Sequence, residues 1–350
     1  MKKMLAMLLA LVMILGLAAC ASTKPAADAT ATSEPSNTGD SASAETSAEA
    51  SDAAPAESGK TYTVGVCQLV QHEALDAATQ GFVDALKEAL GDAVTIDVQN
   101  ASGDSVNCGT IVNGFVAKGV DLIMANATPA LTAAVSATAD IPILGTSITA
   151  YGVALDIDDF NGTVGGNVSG TSDLADLQKQ AQMILDWFPK TKTVGLLFCS
   201  AEPNSRYQID EVRKALEAQG VTCEEFAFTD SNDVSSVTQK AADFSDVVYI
   251  PTDNTAASNT EAIANVLIPA GVPAICGEEG LCRGCGVATL SISYYDLGVT
   301  TGKMAAKILK GEADISTMPV EYTDATPKYN ASVCEQLGIT PLDGYEAIDG

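Results

Sequence analysis

Tyr62-Thr63-Val64-Gly65-Val66-Cys67-Gln68-Leu69 is a short apolar run rich in β-branched residues. Residues 73–90 follow, with Leu75, Ala78, Phe82, Leu86 and Leu90 at helical spacing. A buried strand leading into an amphipathic helix opens a βα unit. The rhythm continues outward from there. Residues 94–98 read as a strand, and 106–117 as a helix stopped by Gly119. Residues 120–125 read as a strand apolar on both faces, 129–137 as a helix and 141–145 as a strand. Apolar strands alternating with helices predict a parallel sheet covered on both sides.

A second series repeats the pattern. Helices are expected at 174–188, 204–218, 234–243 and 256–268, and strands at 193–199, 221–228, 247–251 and 273–276. A strand at 286–292, a helix at 294–309, a strand at 319–322 and a helix at 331–337 close the chain. The fold class expected is α/β, with two Rossmann-like lobes, each built on a parallel sheet. The extra elements after the second series imply repeated crossing between lobes, which makes a hinge. Residues 61–160 plus 286–312 are assigned to lobe 1, and 161–285 plus 313–345 to lobe 2.

The N-terminus points to a compartment. Lys2 and Lys3 precede an apolar run at 4–16, shorter than the roughly 20 residues of a membrane span, so residues 1–20 read as a signal peptide. It ends in Leu17-Ala18-Ala19-Cys20, which resembles the lipobox of bacterial lipoproteins, with Cys20 as the lipidated residue. Residues 21–60 are almost entirely Ala, Ser, Thr, Asp, Glu and Pro. They cannot bury enough apolar surface to offset ordering, and are expected to be a disordered tether. The protein is therefore expected outside the cytoplasm, held to the cell membrane of a bacterium by lipid.

Composition removes other functions. The chain has 350 residues, is 47% hydrophobic and carries a formal net charge of -27. It is long enough for two domains, and its charge is opposite to that of a nucleic-acid binder. With His72 as the one histidine, a His-rich metal site is excluded. Besides Cys20 there are Cys67, Cys108, Cys199, Cys223, Cys276, Cys282, Cys285 and Cys334, most of them in apolar runs, as expected of core thiols. A lone Cys282-Arg283-Gly284-Cys285 is weak evidence for zinc. No metal, cofactor or catalysis is expected. No G-x-S-x-G elbow is present to suggest a hydrolase.

Ligands of open parallel sheets bind beyond the carboxyl ends of the strands. The residues just after the expected strands include Gln71 and His72; Thr128; Thr146 and Ser147; Ser200, Glu202, Asn204 and Ser205; Thr252, Asp253 and Asn254; and Glu278. Arg206 and Arg283 are the nearby cations. This inventory suits a zwitterion. Thr128, Thr146 and Ser147 can serve its carboxylate, and Asp253 or Glu202 its ammonium. Tyr151, Tyr207 and Tyr294 are candidates for stacking. Each polar residue at such a junction is also a good helix N-cap.

Four segments together resemble a known family. They are Val194-Gly195-Leu196-Leu197 through Ser200-Ala201-Glu202-Pro203-Asn204-Ser205, Asn167-Val168-Ser169-Gly170-Thr171-Ser172-Asp173, Val248-Tyr249-Ile250-Pro251-Thr252-Asp253-Asn254, and Tyr294-Tyr295-Asp296-Leu297-Gly298. The set is similar to ABC-transporter substrate-binding lipoproteins related to tryptophan- and tyrosine-binding proteins. The resemblance implies the type I periplasmic-binding-protein fold, three hinge crossings, and a ligand held between lobes, often an aromatic amino acid. It also implies an importer permease as partner, and Ser200, Glu202, Asn204, Ser205, Thr252, Asp253 and Asn254 in the cleft. A sugar or nucleoside ligand, or a ligand sensor feeding a signalling receptor, is the alternative.

Overall fold

The computed structural model describes residues 59–348. Cys20 and the signal segment lie outside the described residues, as does residue range 21–58 of the expected tether. The first series runs β1 (Tyr62–Gln68), α1 (Glu73–Leu90), β2 (Val94–Asn100), α2 (Ser105–Lys118), β3 (Leu122–Asn126), α3 (Thr128–Ala137), β4 (Ile143–Ile148), α4 (Tyr151–Ala154) and β5 (Val168–Ser172). The second runs α5 (Leu177–Trp187), β6 (Thr193–Cys199), α6 (Pro203–Glu217), β7 (Thr222–Phe228), α7 (Val234–Phe244), β8 (Val247–Ile250), α8 (Asn254–Ala257), α9 (Thr260–Ala270), β9 (Ala274–Cys276), α10 (Glu279–Cys285) and β10 (Ala288–Ser291). The chain ends in α11 (Tyr294–Leu309), β11 (Glu321–Tyr322), β12 (Thr326–Tyr329), α12 (Ala331–Leu337) and β13 (Glu346–Ala347).

Local chemistry accounts for these limits. α1 carries Glu73 and Asp76 in its first turn and Lys87 in its last, as the helix dipole favours. Asp104 caps α2 by accepting from Val106 N at 2.7 Å, and Gly119 ends that helix in the left-handed region.

The strands form two sheets, ordered β11-β5-β4-β3-β1-β2 and β13-β12-β10-β9-β8-β6-β7. Their centres, β2-β1-β3-β4-β5 and β7-β6-β8-β9-β10, have the same winding and are parallel throughout. β12 alone is antiparallel, against β10. Each lobe closes one strand later than the periodicity suggests. β5 lies beyond residue 160 yet pairs with β4 in the first sheet, and β10 lies beyond residue 285 yet pairs with β9 in the second. β11, placed by sequence in lobe 2, pairs with β5. Pairing partners are non-local, so the local pattern marks a strand but not its sheet. The chain consequently crosses between lobes three times, at residues 173–176, 292–293 and 323–325.

Each sheet has a core on both faces. In the first lobe Phe115, Ile123 and Leu131 pack under α2 and α3, while Val64, Val66, Phe82, Leu86 and Met304 pack under α1 and α11. α11 follows a strand of the second lobe but packs on α1 in the first. A Cβ at Gly298 would overlap the Ala78 carbonyl, and one at Gly81 the Tyr295 carbonyl, so glycine sets how close the two helices lie. Trp187 is buried in the second core, edge-on to Tyr345 at 5.1 Å. No helix among the described residues is long and apolar enough to cross a membrane.

Candidate functional site

In each sheet the order reverses between the first strand and its third-strand neighbour, β1/β3 and β6/β8. At such a switch point adjacent loops diverge and leave a crevice at the carboxyl edge. The two crevices face each other. The first lobe contributes His72, Leu75, Ser147 and Thr149 to an inner cavity. The second lobe contributes Thr252, Asp253, Asn254, Ala257 and Glu278, and Asp173 and Tyr294 enter from the crossings. Asn254 also lines a larger cavity of about 510 Å³, whose lining includes no residue of the crossings. Leu69, Val70 and Pro129 give that cavity an apolar wall, and Asp104, Glu202 and Asp230 add acidic groups.

Four carboxylates around the cleft are almost wholly buried: Asp173, Glu202, Asp253 and Glu278. Three are committed to backbone. Asp253 accepts from Cys199 N at 2.6 Å and Ala256 N at 2.8 Å, capping α8. Glu202 accepts from the backbone and side chain of Asn254 at 3.0 and 2.7 Å, and from those of Thr255 at 2.9 and 2.8 Å. Glu278 accepts from Gly280 N and Leu281 N, capping α10. Asp253 and Glu202, the sequence candidates for a ligand ammonium, each hold a helix start in place and each line a cavity of the cleft. Burial pushes the Glu278 carboxyl up to about 7 against the pull of its two N–H donors. Burial, and then the nearby Glu202 charge, raises Asp253 as well.

Asp173 differs. Its Oδ2 accepts from the Tyr294 hydroxyl at 2.8 Å, and its Oδ1 has no hydrogen-bond partner. Burial raises its pKa; the Tyr294 hydroxyl opposes the rise, as does the Thr149 hydroxyl, which lies near without meeting hydrogen-bond geometry. The buried Ser147 Oγ is also without a partner, and Ser147 holds a left-handed backbone with φ 56°. A non-glycine residue in that region is uncommon and strained.

The other sequence candidates divide. Ser147, Thr252, Asp253, Asn254, Glu278 and His72 line the inner cavity. Gln71 and Ser200 are exposed and do not line it. Thr128 lines a surface groove that shares Ser105, Pro129 and Ala201 with the outer cavity. Thr146 points into the lobe, its hydroxyl 3.1 Å from that of Thr171, which lies 2.9 Å from that of Thr301. Asn204 reaches the Thr252 carbonyl at 3.1 Å and, with the fully buried Ser205, supports the loop after β8. Tyr294 supplies a hydroxyl to Asp173 in place of a stacking face. Arg206 is paired with Glu225 and Asp210, and Arg283 with Glu279 and Glu73, so neither lines the inner cavity. Sequence reasoning missed Asp173, Leu75 and Ala257 as lining residues. The eight cysteines of the described residues are free thiols, and no cluster suited to a metal occurs among these residues.

Two α/β lobes of equal winding, three crossings and an enclosed crevice between carboxyl edges define a two-lobed solute-binding protein of the type I periplasmic class. The chain belongs to the ABC transporter substrate binding protein family, whose model matches residues 63–344. This is a family of binding proteins and not of enzymes, and it works outside the cytoplasm. A tyrosine-binding protein of Clostridioides difficile (strain R20291) is 33% identical over 77% of this chain and 79% of its own. A structure from Streptococcus pneumonia in complex with L-Trp is 32% identical, covering 83% of this chain and 100% of that one, with a TM-score of 0.78. The ligand-free, open structure of a substrate-binding protein with adhesive properties from Clostridium difficile is 34% identical over 83% of this chain and 99% of that one, with a TM-score of 0.63.

Proposed function

We propose that this protein is the lipid-anchored receptor of an ABC importer, and that it closes its lobes on an amino acid with an aromatic or large apolar side chain. One observation carries the ligand class: a small polar inner cavity, free of Lys and Arg, shares Asn254 with a larger outer cavity in which Leu69, Val70 and Pro129 form one apolar patch among polar and acidic groups. The inner cavity, about 10 Å³, has room for one water-sized group, so the lobes part to admit an amino acid's charged α-carbon groups, with its side chain toward Leu69, Val70 and Pro129. The relatives that bind tyrosine and L-Trp support the same reading. The higher TM-score against the L-Trp complex, at nearly the same identity as the open structure, supports a closed arrangement of the lobes. The anchor rests on the lipobox at Cys20, and the importer permease on the family.

A thermal-shift screen of the mature protein against amino acids, nucleosides and sugars tests the reading. Stabilisation by L-tryptophan or L-tyrosine is the expected result. Stabilisation by a sugar or nucleoside, with none by any amino acid, would replace the ligand class.

A further inference from the structure

We infer that Asp173, the first residue after β5, is the partner of the ligand's ammonium group, so that recognition of an α-amino group sits on the first hinge crossing itself. The inference rests on the reading of the cleft as a solute site, and adds the residue that decides which solutes enter.

The argument is one of elimination and register. Of the four buried carboxylates, Glu202, Asp253 and Glu278 have both oxygens engaged by helix-start or loop N–H groups, and Asp173 alone keeps an oxygen without a partner. A buried carboxylate oxygen left unpaired is costly. No lysine or arginine lines the cavity, so Asp173 is free to take its counter-charge from a cationic ligand in place of a proton. The group is also held in place. Tyr294, the first residue of α11 and next to the second crossing, grips Oδ2, while Asp173 N donates to Ile148 O at 3.2 Å. Ile148 pairs with Ser172 across β4 and β5. Asp173 follows that pair on one strand and Ser147 precedes it on the other, so the two flank it from opposite sides. The uncommitted carboxylate oxygen and the uncommitted hydroxyl line the same cavity. An acceptor for an ammonium and a donor for a carboxylate within one cavity complement the two charged groups on one α-carbon. Because Asp173 begins the first crossing and Tyr294 directly follows the second, a ligand held there acts on the segments that must move when the lobes close.

Calorimetric titration of the mature protein tests this with four probes: L-tryptophan, L-tyrosine, and their counterparts lacking the amino group, indole-3-propionate and 3-(4-hydroxyphenyl)propionate. The wild type is expected to prefer the better-bound amino acid over its desamino counterpart by about a hundred-fold or more. Asp173→Asn should lose about ten- to a hundred-fold for the amino acid, the scale of one hydrogen bond to a charged group, and little or nothing for the counterpart. Tyr294→Phe should weaken the amino acid by a smaller factor and keep the preference. Equal wild-type affinity for an amino acid and its desamino counterpart, a comparison that needs no variant, would overturn the inference. So would unchanged amino-acid affinity in Asp173→Asn. In both cases amino-acid binding itself would stand. Wild-type protein that binds neither amino acid would remove the functional reading and this inference with it.

Discussion

His72 of the first lobe and Asn254 of the second meet across the cleft, Nε2 to Oδ1 at 3.2 Å. Asn254 Nδ2 is already donating to Glu202, so its Oδ1 is the acceptor and His72 Nε2–H the donor. Burial holds the His72 pKa below its usual value, against the pull of Asn254, Glu202 and Asp76. The next residue, Glu73, pairs with Arg283 of the second lobe, so the start of α1 is tied to that lobe twice. The ion pair is partly exposed and contributes at most about 1 kcal/mol. His72→Ala should therefore lower ligand affinity by about three- to ten-fold, the scale of one net hydrogen bond. The loss should appear in the dissociation rate, which stopped-flow release can follow. An unchanged rate would show that the pair does not hold the cleft shut.

Stability and affinity should respond to pH in opposite directions. Burial raises the carboxyls of Asp173, Asp253 and Glu278, so the folded protein keeps protons that the unfolded chain has released. Their contribution to stability is complete below the unfolded values and is lost as pH rises through the raised ones. For Glu278 that window runs from 4.5 to about 7. His72 works the other way, since its lowered value costs stability as pH falls through 6.5. The melting temperature of the ligand-free protein should climb as pH falls across the Glu278 window, and Glu278→Gln should flatten that climb. A ligand ammonium favours ionised Asp173, so amino-acid affinity should fall as pH drops through that group's raised value. Parallel pH profiles for melting and binding would contradict the assignment.

The sequence carried much of this because repetition is local. Residues 73–90 coincide with α1, and the alternation of both βα series is present, although the helix expected at 256–268 is divided into α8 and α9 and neither β5 nor α10 is among the expected elements. Which sheet receives β5 or β10 depends on partners far along the chain, and four or five apolar residues do not encode it. Asp253, Glu202 and Glu278 were identifiable as acidic groups after strands, but capping and ligand contact need the same residue types at the same places. Asp173 was hidden for a different reason. It ends a stretch rich in Gly, Asn, Asp and Ser that reads as a connection, and only the pairing of β5 with β4 buries it.

The contact between α1 and α11 depends on glycine. Gly298→Val would force a side chain into the Ala78 carbonyl. Overpacking of this kind costs about 1–3 kcal/mol, and more where backbone must move. A fall of several degrees in melting temperature is expected by calorimetry. An unchanged melting temperature would mean the helices can separate without loss.

The anchor and the binding domain should be separable. Cys20→Ala should shift the protein from the membrane fraction to the soluble fraction. Protein lacking residues 21–58 should bind its ligand with unchanged affinity, because every site residue lies beyond that stretch. Membrane retention of Cys20→Ala would remove the lipobox reading, and a large loss of binding on truncation would place the segment in the fold.

A crystal structure of the mature protein grown with saturating L-tryptophan or L-tyrosine tests the central claim most directly. The expected density is one amino acid enclosed between the lobes, its ammonium within hydrogen-bond distance of Asp173 Oδ1 and its side chain past Asn254 toward Leu69 and Pro129. A cleft without amino-acid density under those conditions would contradict the account.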